Sequence, residues 1–467
     1  MKKLLLLLLL SSIVLFEFSC RKDSFITGKD AQISLSSDTL FFDTVFTSTG
    51  SITEAVRIIN TNSQKLRLTD VKLMGGAASP FSINVDGYAG PERGNLELEA
   101  GDSVYIFVAV RVNPTSASLP FILQDSIAVE FNGKQEFIQL QAYGQNAHFL
   151  RNQVITGNTV WDRTLPYVIL GGLQIDTGAM LTIPAGCRVY FHGDAPMLVD
   201  GSLQVTGDHF DSTRVYFLGD RLDDPYRNFP GSWPGIYFRE TSSNNHLSYA
   251  VIRNAYQAVV AQSPPTGNQA KLILDQCIID NSYDAGILGI QGNVIANNCL
   301  ISNCGKNIEL GGGGIYQLVN CTAASYSNNY LSHTQPVLSL SDVYTQGGVL
   351  ASGDVEATFT NCIFWGSNGT VDNEVSVSRQ GTGVFSVSFT NCLWKVKSAP
   401  TNVTVAGMIA NMDPLFVSVN NSKASYDFHL NAGSPAIDKG VATSLLVDLD
   451  GNPRAVGLPD MGSYERQ

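Results

Sequence analysis

The residues best suited to bind a ligand lie together in one stretch, residues 220–238, with the sequence DRLDDPYRNFPGSWPGIYF. Sugar-binding sites combine aromatic surfaces with a few well-placed polar and charged groups. This stretch offers aromatic rings, carboxylates and guanidinium groups, and the candidate ligand-binding residues are Asp223, Asp224, Tyr226, Arg227, Phe229 and Trp233. The alternative, which the sequence favours, is that Phe229 and Trp233 are structural residues that pack into the side of a hydrophobic core.

A second candidate site is DLDGN, residues 448–452. Oxygen-bearing side chains at alternate positions followed by glycine are typical of half a calcium-binding loop. Asp448, Asp450 and Asn452 are therefore candidate calcium ligands, and the sequence indicates no other cofactor. Because no glutamate stands at the twelfth position of such a loop, the sequence favours a turn that Asp448 and Arg454 tie together.

Other patterns lack the spacing that their chemistry needs. The six histidines do not fall at metal-ligand or catalytic-triad spacing. The glycine run at residues 311–314 has no following Lys-Ser or Lys-Thr, so it does not predict a phosphate-binding loop. The sequence therefore names no catalytic residue.

The dipeptide Asn-Cys recurs and indicates the elements that position these residues. Aligned on the cysteine, five segments begin at Gln276, Asn298, Asn320, Asn361 and Asn391, so the cysteines are 22, 22, 41 and 30 residues apart. A 22-residue period fits one coil of a parallel β-helix, with three short strands and three turns. Stacked coils place equivalent residues in columns about 4.8 Å apart. We expect inward-facing thiols beside a ladder of turn asparagines; disulfides between neighbouring coils are the alternative, which side-by-side Cβ vectors disfavour.

Two groups of motifs carry a resemblance to known proteins. SWPGIYF (232–238) and LSYAVIRNAYQAVV (247–260) resemble the right-handed β-helix proteins of the pectate-lyase-like superfamily. DPLF (413–416), DFHLNAGSPAIDKG (427–440), DLDGNPR (448–454) and PDMGSYE (459–465) resemble, in order, the terminal segment of bacterial surface β-helix proteins called choice-of-anchor Q. The resemblance implies a β-helix over residues 147–410 and a C-terminal cap over 411–467.

Enzymes of that superfamily cleave uronate polymers with a calcium-binding acidic cluster and an Arg or Lys base, or hydrolyse glycans with paired aspartates beside Gly-His-Gly and Arg-x-Lys. The acids of the coil region form no column, because Ser302 and Lys306 stand one coil after Asp280 and Asp284. Gly-His-Gly and Arg-x-Lys do not occur. The hydrolase signature is absent, and lyase ligands supplied by distant loops stay open.

Residues 31–146 alternate polar and apolar positions in short runs separated by turn sequences such as NTNSQ and FNGKQ. About seven such strands predict an antiparallel sandwich. The phrase NTNS followed by LRLTDVKL resembles the immunoglobulin-like modules of the hydin and abnormal-spindle type. We therefore expect an all-β chain, with an immunoglobulin-like β-sandwich followed by a right-handed parallel β-helix.

The N-terminus carries Lys2 and Lys3, an apolar stretch and Ser19-Cys20. This pattern resembles a bacterial lipoprotein signal over residues 1–19, with Cys20 acylated and a linker over 20–30; Glu17 departs from it, and an ordinary cleaved signal is the alternative. The following RKDS resembles the export tags of Bacteroidetes surface lipoproteins. We expect a protein anchored in the outer membrane through lipid, on its surface or its periplasmic face.

The composition limits the partners. Only 15% of the residues are charged and the net charge is −12, without a basic run interleaved with aromatics, so we expect no nucleic-acid binding. The sequence predicts a non-catalytic, adhesin-like surface protein that binds a polysaccharide or a surface protein. The alternative is a polysaccharide lyase or glycoside hydrolase acting on a uronate-containing polysaccharide, and a purely structural surface protein is a third hypothesis.

Overall fold

The computed structural model describes residues 24–46, 50–113, 121–264, 269–454 and 456–467. The predicted signal sequence and Cys20 lie outside the described residues. The chain divides into two compact units, Met1–Asn146 and Ala147–Gln467. Both are built from β-strands, which confirms the predicted all-β fold class, and the helical segments among the described residues are short 3-10 turns such as Tyr226–Asn228. No helix in this part of the chain has the length and apolar character needed to cross a membrane.

The first unit is a two-layer sandwich. Its strands are β1 (Ile33–Leu35), β2 (Thr39–Phe46), β3 (Gly50–Asn60), β4 (Leu66–Leu73), β5 (Phe81–Val85), β6 (Tyr88–Ala89), β7 (Glu92–Leu98), β8 (Ser103–Arg111), β9 (Phe121–Phe131) and β10 (Lys134–Gln145). One sheet has the order β1-β3-β8-β5-β6 and the other β2-β10-β9-β4-β7. The pairs are antiparallel except β2–β10, which is parallel.

Alternation explains why these sequences form a sandwich. In β8, Val104, Ile106 and Val108 point into the core, while Tyr105 and Phe107 are exposed on the other face. Successive residues of a strand point to opposite faces, so such a pattern buries one face of the sheet. Both sheets contribute to one continuous hydrophobic core.

The second unit is a right-handed parallel β-helix, as predicted. Its coil strands are β11 (His148–Ile155), β12 (Asn158–Val160), β13 (Tyr167–Ile175), β14 (Met180–Pro184), β15 (Arg188–Phe191), β16 (Met197–Val199), β17 (Ser202–Thr206), β18 (Val215–Gly219), β19 (Ile236–Phe238), β20 (Asn245–Ser248), β21 (Ala250–Arg253), β22 (Gln257–Gln262), β23 (Leu272–Asp275), β24 (Ile278–Asp280), β25 (Ala285–Ile290), β26 (Asn293–Asn297), β27 (Leu300–Ser302), β28 (Lys306–Gly311), β29 (Gly314–Val319), β30 (Thr322–Tyr326), β31 (Leu338–Ser341), β34 (Val355–Thr360), β35 (Ile363–Ser367), β36 (Val375–Ser378), β37 (Phe385–Thr390), β38 (Leu393–Trp394), β39 (Thr404–Ala406) and β40 (Ile409–Ala410). Two further strands, β32 (Val343–Gln346) and β33 (Val349–Ser352), form an antiparallel hairpin between β31 and β34.

The coils build three parallel sheets, and each coil adds one strand to each sheet except the last two, which add none to the third. Sheet A has the order β12-β14-β17-β20-β23-β26-β29-β34-β37-β39. Sheet B runs from the first part of β13 through β15, β18, β21, β24, β27, β30, β35, β38 and β40. Sheet C runs from the last part of β13 through β16, β19, β22, β25, β28, β31 and β36. Because β29 pairs directly with β34, the 41-residue cysteine separation is one coil with insertions.

The Asn-Cys dipeptides form the turns from sheet A to sheet B. The asparagines adopt left-handed backbone, for example with φ of 52° at Asn298 and 51° at Asn320. This conformation is strained for most side chains and is tolerated by asparagine. The cysteines that follow are buried free thiols, and Cys299 Sγ lies 3.4 Å from the carbonyl oxygen of Leu274 in the preceding coil. The predicted thiol column is thereby confirmed.

Residues 413–467, here called the C-terminal segment, lie along the outer face of sheet B. They contain the hairpin β41 (Phe416–Asn420) and β42 (Ser425–Leu430). Leu449, Met461 and Tyr464 join a second hydrophobic cluster with outward-facing residues of sheet B. The turn asparagines hold the backbone of this segment; Asn361 Nδ2, for example, donates to the Val441 carbonyl over 2.8 Å. The segment predicted as a cap therefore covers the side of several coils.

Candidate ligand-binding surface

The loop that carries the candidate ligand-binding residues connects β18 of sheet B to β19 of sheet C. Two asparagines from the turns between sheets B and C hold it in place. Asn254 Nδ2 donates a hydrogen bond of 2.6 Å to the Arg227 carbonyl, and Asn281 Nδ2 donates one of 2.9 Å to the Asn228 carbonyl. Asn281 Nδ2 also donates to Asn254 Oδ1 over 2.8 Å. The repeat turns thus fix the loop backbone from outside the coil.

Trp233 does not share the surface of this loop. Its side chain is fully buried, its ring stacks on Phe191 with the centroids 4.3 Å apart, and Nε1 donates to the Arg253 carbonyl over 2.9 Å. A buried indole with a satisfied N–H is a core residue. Trp233 therefore offers no face to a ligand, whereas the other five residues lie on the outside of the solenoid.

Exposed aromatic rings line the outside of the loop. Tyr226 is 43% exposed and Phe229 38% exposed, with ring centroids 5.2 Å apart, and Phe229 also lies 5.7 Å from Tyr330 of the insertion between β30 and β31. Two further tyrosines, Tyr256 and Tyr283, are stacked with centroids 5.6 Å apart. We call these five side chains the aromatic ridge.

Gly231 joins the two parts of the aromatic ridge. A Cβ atom at this position would lie 3.3 Å from Cβ of Tyr283 and 3.9 Å from a ring carbon of Tyr256. The sequence argument missed both tyrosines, although each stands two residues after a turn asparagine, Asn254 or Asn281, in consecutive coils. That repetition is the signal that could have found them.

The charges around the ridge are paired. Arg221 donates two hydrogen bonds to Asp223, over 2.7 and 2.8 Å, and its guanidinium lies 4.0 Å from the Tyr226 ring centroid. Arg227 Nε lies 2.8 Å from Asp224 Oδ1. The hydrogen bonds that Arg221 donates to Asp223 raise the pKa of Arg221 above its usual range. Carboxylates therefore balance both arginines of the loop.

A lysine between two carboxylates lies close to the ridge on sheet C. Lys306 Nζ lies 2.8 Å from Glu309 Oε2 and 3.7 Å from Asp284 Oδ1, and Gln257 donates to the other oxygen of Asp284 over 2.7 Å. Burial lowers the pKa of Lys306, but the hydrogen bond to Glu309 and the two negative charges outweigh it, so the pKa is raised overall. A lysine in this state stays protonated at neutral pH and is poorly suited to act as a base.

The structure shows what the candidate calcium ligands contact. Asp448 is buried; Oδ1 accepts the backbone N–H groups of Asp450 and Asn452, and Oδ2 accepts that of Glu465. The Asp450 carboxylate lies 2.9 Å from His429 Nε2 and 3.4 Å from Arg214 Nη2. These oxygens face donors and not a common centre. Within the described ranges, no three His, Cys, Asp or Glu side chains are grouped so that they could hold a metal ion.

Comparisons with known proteins concern the fold. No family model and no curated protein matches the sequence. The crystal structure of pectate lyase Pel9A is similar at 13% identity and a TM-score of 0.34, with 69% of this chain and 88% of that chain covered. A family 123 glycoside hydrolase from Clostridium perfringens, studied for glycolipid glycan hydrolysis, matches at 13% identity and a TM-score of 0.19, covering 28% of this chain and only 30% of the hydrolase. PapD-like domain 7 of human CEP192 matches at 10% identity and a TM-score of 0.18, covering 26% and 89%.

Proposed function

We propose that the β-helix unit binds a glycan through the aromatic ridge without cleaving it. The observation that carries this proposal is the group of neighbouring exposed rings, above all the stacked pair Tyr256 and Tyr283, 44% and 54% exposed. Exposed aromatic clusters on a soluble protein mark binding surfaces, because water contact with them is unfavourable. Aromatic rings provide a surface for the apolar face of a sugar, and neighbouring polar side chains provide hydrogen bonds for its hydroxyl groups.

The preferred glycan is neutral. Both arginines of the loop are paired with aspartates, and Arg253 Nε lies 3.6 Å from Asp280 Oδ2. A uronate polymer would have to break such pairs to find a cation, and it would approach a protein with a net charge of −12. Long-range repulsion of this kind lowers association rates for like-charged partners. A neutral chain meets neither obstacle.

The second candidate function is cleavage of a polysaccharide, by a lyase or a glycoside hydrolase. The observation that favours it is the arrangement of Asp284, Lys306 and Glu309 beside the ridge, since carboxylates near a lysine are the chemical groups that such enzymes use. Against it stands the direction of the pKa shift of Lys306, which favours a permanently protonated ammonium group.

One experiment separates the two functions. The protein is run in native affinity gels that contain neutral or uronate-bearing polysaccharides, and the same polysaccharides are assayed for released oligosaccharide and unsaturated uronate. We expect retardation by a neutral polysaccharide, loss of retardation in Tyr256→Ala and Tyr283→Ala, and no release. The matched control is Tyr105→Ala, which removes a comparably exposed ring, 46%, from the sandwich.

The outcomes are distinct. Release of products that Lys306→Met abolishes would establish cleavage and overturn the non-catalytic function. If Tyr256→Ala, Tyr283→Ala and Tyr105→Ala are all retarded as strongly as the wild type, the glycan binds somewhere other than the aromatic ridge. Absence of both retardation and release across the panel would favour a surface protein as the partner, or the structural role.

We also propose that Cys20 carries the lipid that anchors the protein in the outer membrane. The support is the sequence pattern at residues 1–20. Metabolic labelling with a fatty acid tests it: labelling of the wild type with loss in Cys20→Ser is expected. Labelling that persists in Cys20→Ser, or none in either protein, would remove the lipid anchor.

A further inference from the structure

A pocket lies on the outer face of sheet A, away from the turns that carry the aromatic ridge. Its volume is about 460 Å³, within the range of small-molecule sites. Its floor is one register column that crosses four consecutive coils, Gln204, His246, Ile273 and Ile295. Met180, Asn244 and Gln269 add to its walls. Among the described residues that line it, none is Asp, Glu, Lys or Arg.

One end of the column offers hydrogen-bond acceptors. Gln204 Nε2 donates to the Asn244 carbonyl over 2.6 Å, which fixes the amide and leaves its oxygen as an acceptor. His246 Nε2 lies 2.7 Å from Asp275 Oδ2; in the tautomer that donates from Nε2 to this carboxylate, Nδ1 is left as an acceptor. Asp275 is itself fixed, because its other oxygen accepts from Asn297 Nδ2 over 2.8 Å.

These side chains do not form a hydrolase triad, although Ser248, His246 and Asp275 are the right residue types. Ser248 Oγ lies 3.2 Å from Nε2, the same ring nitrogen that contacts Asp275. A triad needs the serine and the aspartate on opposite ring nitrogens, so that the ring can accept the serine proton while the aspartate orients it. The three residues therefore lack the arrangement of a catalytic triad.

The other end of the column is apolar. Ile273 and Ile295 follow His246 in the next two coils. The 37% exposed side chain of Met180 lies at the opposite rim, one coil before Gln204. Coils stack at about 4.8 Å, so His246 and Ile273 are one step apart, about the width of a sugar ring, and the whole column from Gln204 to Ile295 spans about 14 Å. A matching ligand presents hydroxyl donors at one end and a methyl group at the other, without charge.

We propose that this pocket binds an uncharged sugar unit that carries a methyl group, of the 6-deoxyhexose class. Its hydroxyl groups donate to Gln204 and His246, and its methyl group packs on Ile273 and Ile295. Replacing the methyl by a hydroxymethyl group would bury a hydroxyl against isoleucine, where it lacks a partner. The site lies on a different sheet from the aromatic ridge and does not depend on the function proposed there.

The test uses the full chain and saturation-transfer NMR with two matched sugar pairs. L-fucose and L-rhamnose are compared with L-galactose and L-mannose, which differ from them only by a hydroxyl at carbon 6. We expect at least about tenfold weaker binding of the hydroxylated partner, as is typical of small changes in an apolar pocket. We also expect loss of the preferred deoxy sugar in His246→Ala and Ile273→Ser.

The matched control is Ile315→Ser, which makes the same substitution at a 49% exposed position of sheet A outside the pocket. Circular dichroism verifies the fold of each variant, and Ile273→Val replaces Ile273→Ser if the latter unfolds, with weaker binding expected. Equal binding within both sugar pairs, binding of none of the four, or equal effects of the pocket and control variants would overturn the proposal.

Discussion

Arg454 Nε donates a 2.9 Å hydrogen bond to the amide oxygen of Asn298, a residue 156 positions earlier in the chain. The same guanidinium lies 3.2 Å from Glu465 Oε2, and it donates hydrogen bonds of 3.0 Å to the carbonyls of Gly462 and Ser463. One buried arginine thus joins the C-terminal segment to a turn of the solenoid.

Replacing Arg454 by methionine should strongly destabilise the β-helix unit. The substitution leaves Glu465 buried without its cationic partner, a change that typically costs about 3–5 kcal/mol. Urea unfolding measures the loss, and Arg466→Met, on an exposed side chain, is the control. Equal small losses in both variants would contradict the expectation.

The same variant should become more sensitive to pH. Burial raises the pKa of Glu465 from 4.5 to about 7. As the pH rises, this carboxyl ionises at a lower pH in the unfolded chain than in the folded protein. The free energy of unfolding therefore decreases between about pH 4.5 and pH 7. Loss of the guanidinium raises the folded pKa further, so the fall should be larger in Arg454→Met. Melting temperatures between pH 4 and 8 test this, and parallel profiles would contradict it.

His429 should stabilise the C-terminal segment only while it is protonated. Hydrogen bonds with Asp450 and Asp427 raise its pKa from 6.5 to about 9. A raised folded pKa gives a contribution that is fully present below pH 6.5 and lost as the pH rises through about 9. The difference in melting temperature between wild type and His429→Gln should therefore shrink over that interval. A difference independent of pH would contradict the ion pairs as its source.

Trp233 and Tyr256 should separate stability from binding. Trp233→Ala removes a buried ring that stacks on Phe191 and should lower the free energy of unfolding by about 3–5 kcal/mol. Tyr256→Ala truncates a 44% exposed ring and should change it by less than about 1 kcal/mol while reducing glycan retention. The reverse order of stabilities would contradict the assignment of the two rings.

The buried thiols of the β-helix unit should be unreactive in the native protein. Burial raises the pKa of Cys187 to about 11 and of Cys304 to about 12, and it raises that of Cys299 as well. Alkylation requires the thiolate. Burial opposes ionisation of Cys321, but hydrogen bonds with Cys299 and Cys362 lower its pKa overall. All seven described cysteines are buried, so iodoacetamide at pH 8 should reach and modify them only after unfolding, and peptide mapping distinguishes them from Cys20. Fast labelling of a column cysteine in the folded protein would contradict the burial.

The periodic features of the fold could be predicted from the sequence. The Asn-Cys recurrence fixes the 22-residue coil, because a left-handed turn residue and a small buried residue must recur wherever coils stack. The alternation in β8 likewise predicts a strand with one buried face. Both signals repeat residue types at intervals along the chain, which is why a single sequence carries them.

The remaining features depend on contacts between distant residues. No local pattern places Val441 beside Asn361 or Arg454 beside Asn298, so the lateral course of the C-terminal segment was not predicted. The ridge was found only in part, since 27 residues separate Tyr256 from Tyr283 and an irregular loop hides their common position. The aromatic side chains of one loop likewise could not be sorted into core and surface: the favoured alternative placed both Phe229 and Trp233 in the core, which is right for the buried Trp233 and wrong for Phe229, 38% exposed.

The lateral course of the C-terminal segment alters how the coils depend on one another. In an array whose repeats touch only their neighbours, each repeat can open from an end without disturbing distant ones. Here Arg214 Nη2 donates to the Leu449 carbonyl over 2.9 Å and Asn391 Nδ2 to that of Lys439 over 2.7 Å, so one stretch is fastened to early and late coils alike. We expect the coils between these contacts to exchange their amide hydrogens as one cooperative block. The early coils are synthesised before the C-terminal segment, so the outer face of sheet B in these coils stays uncovered until the last residues of the chain have been made.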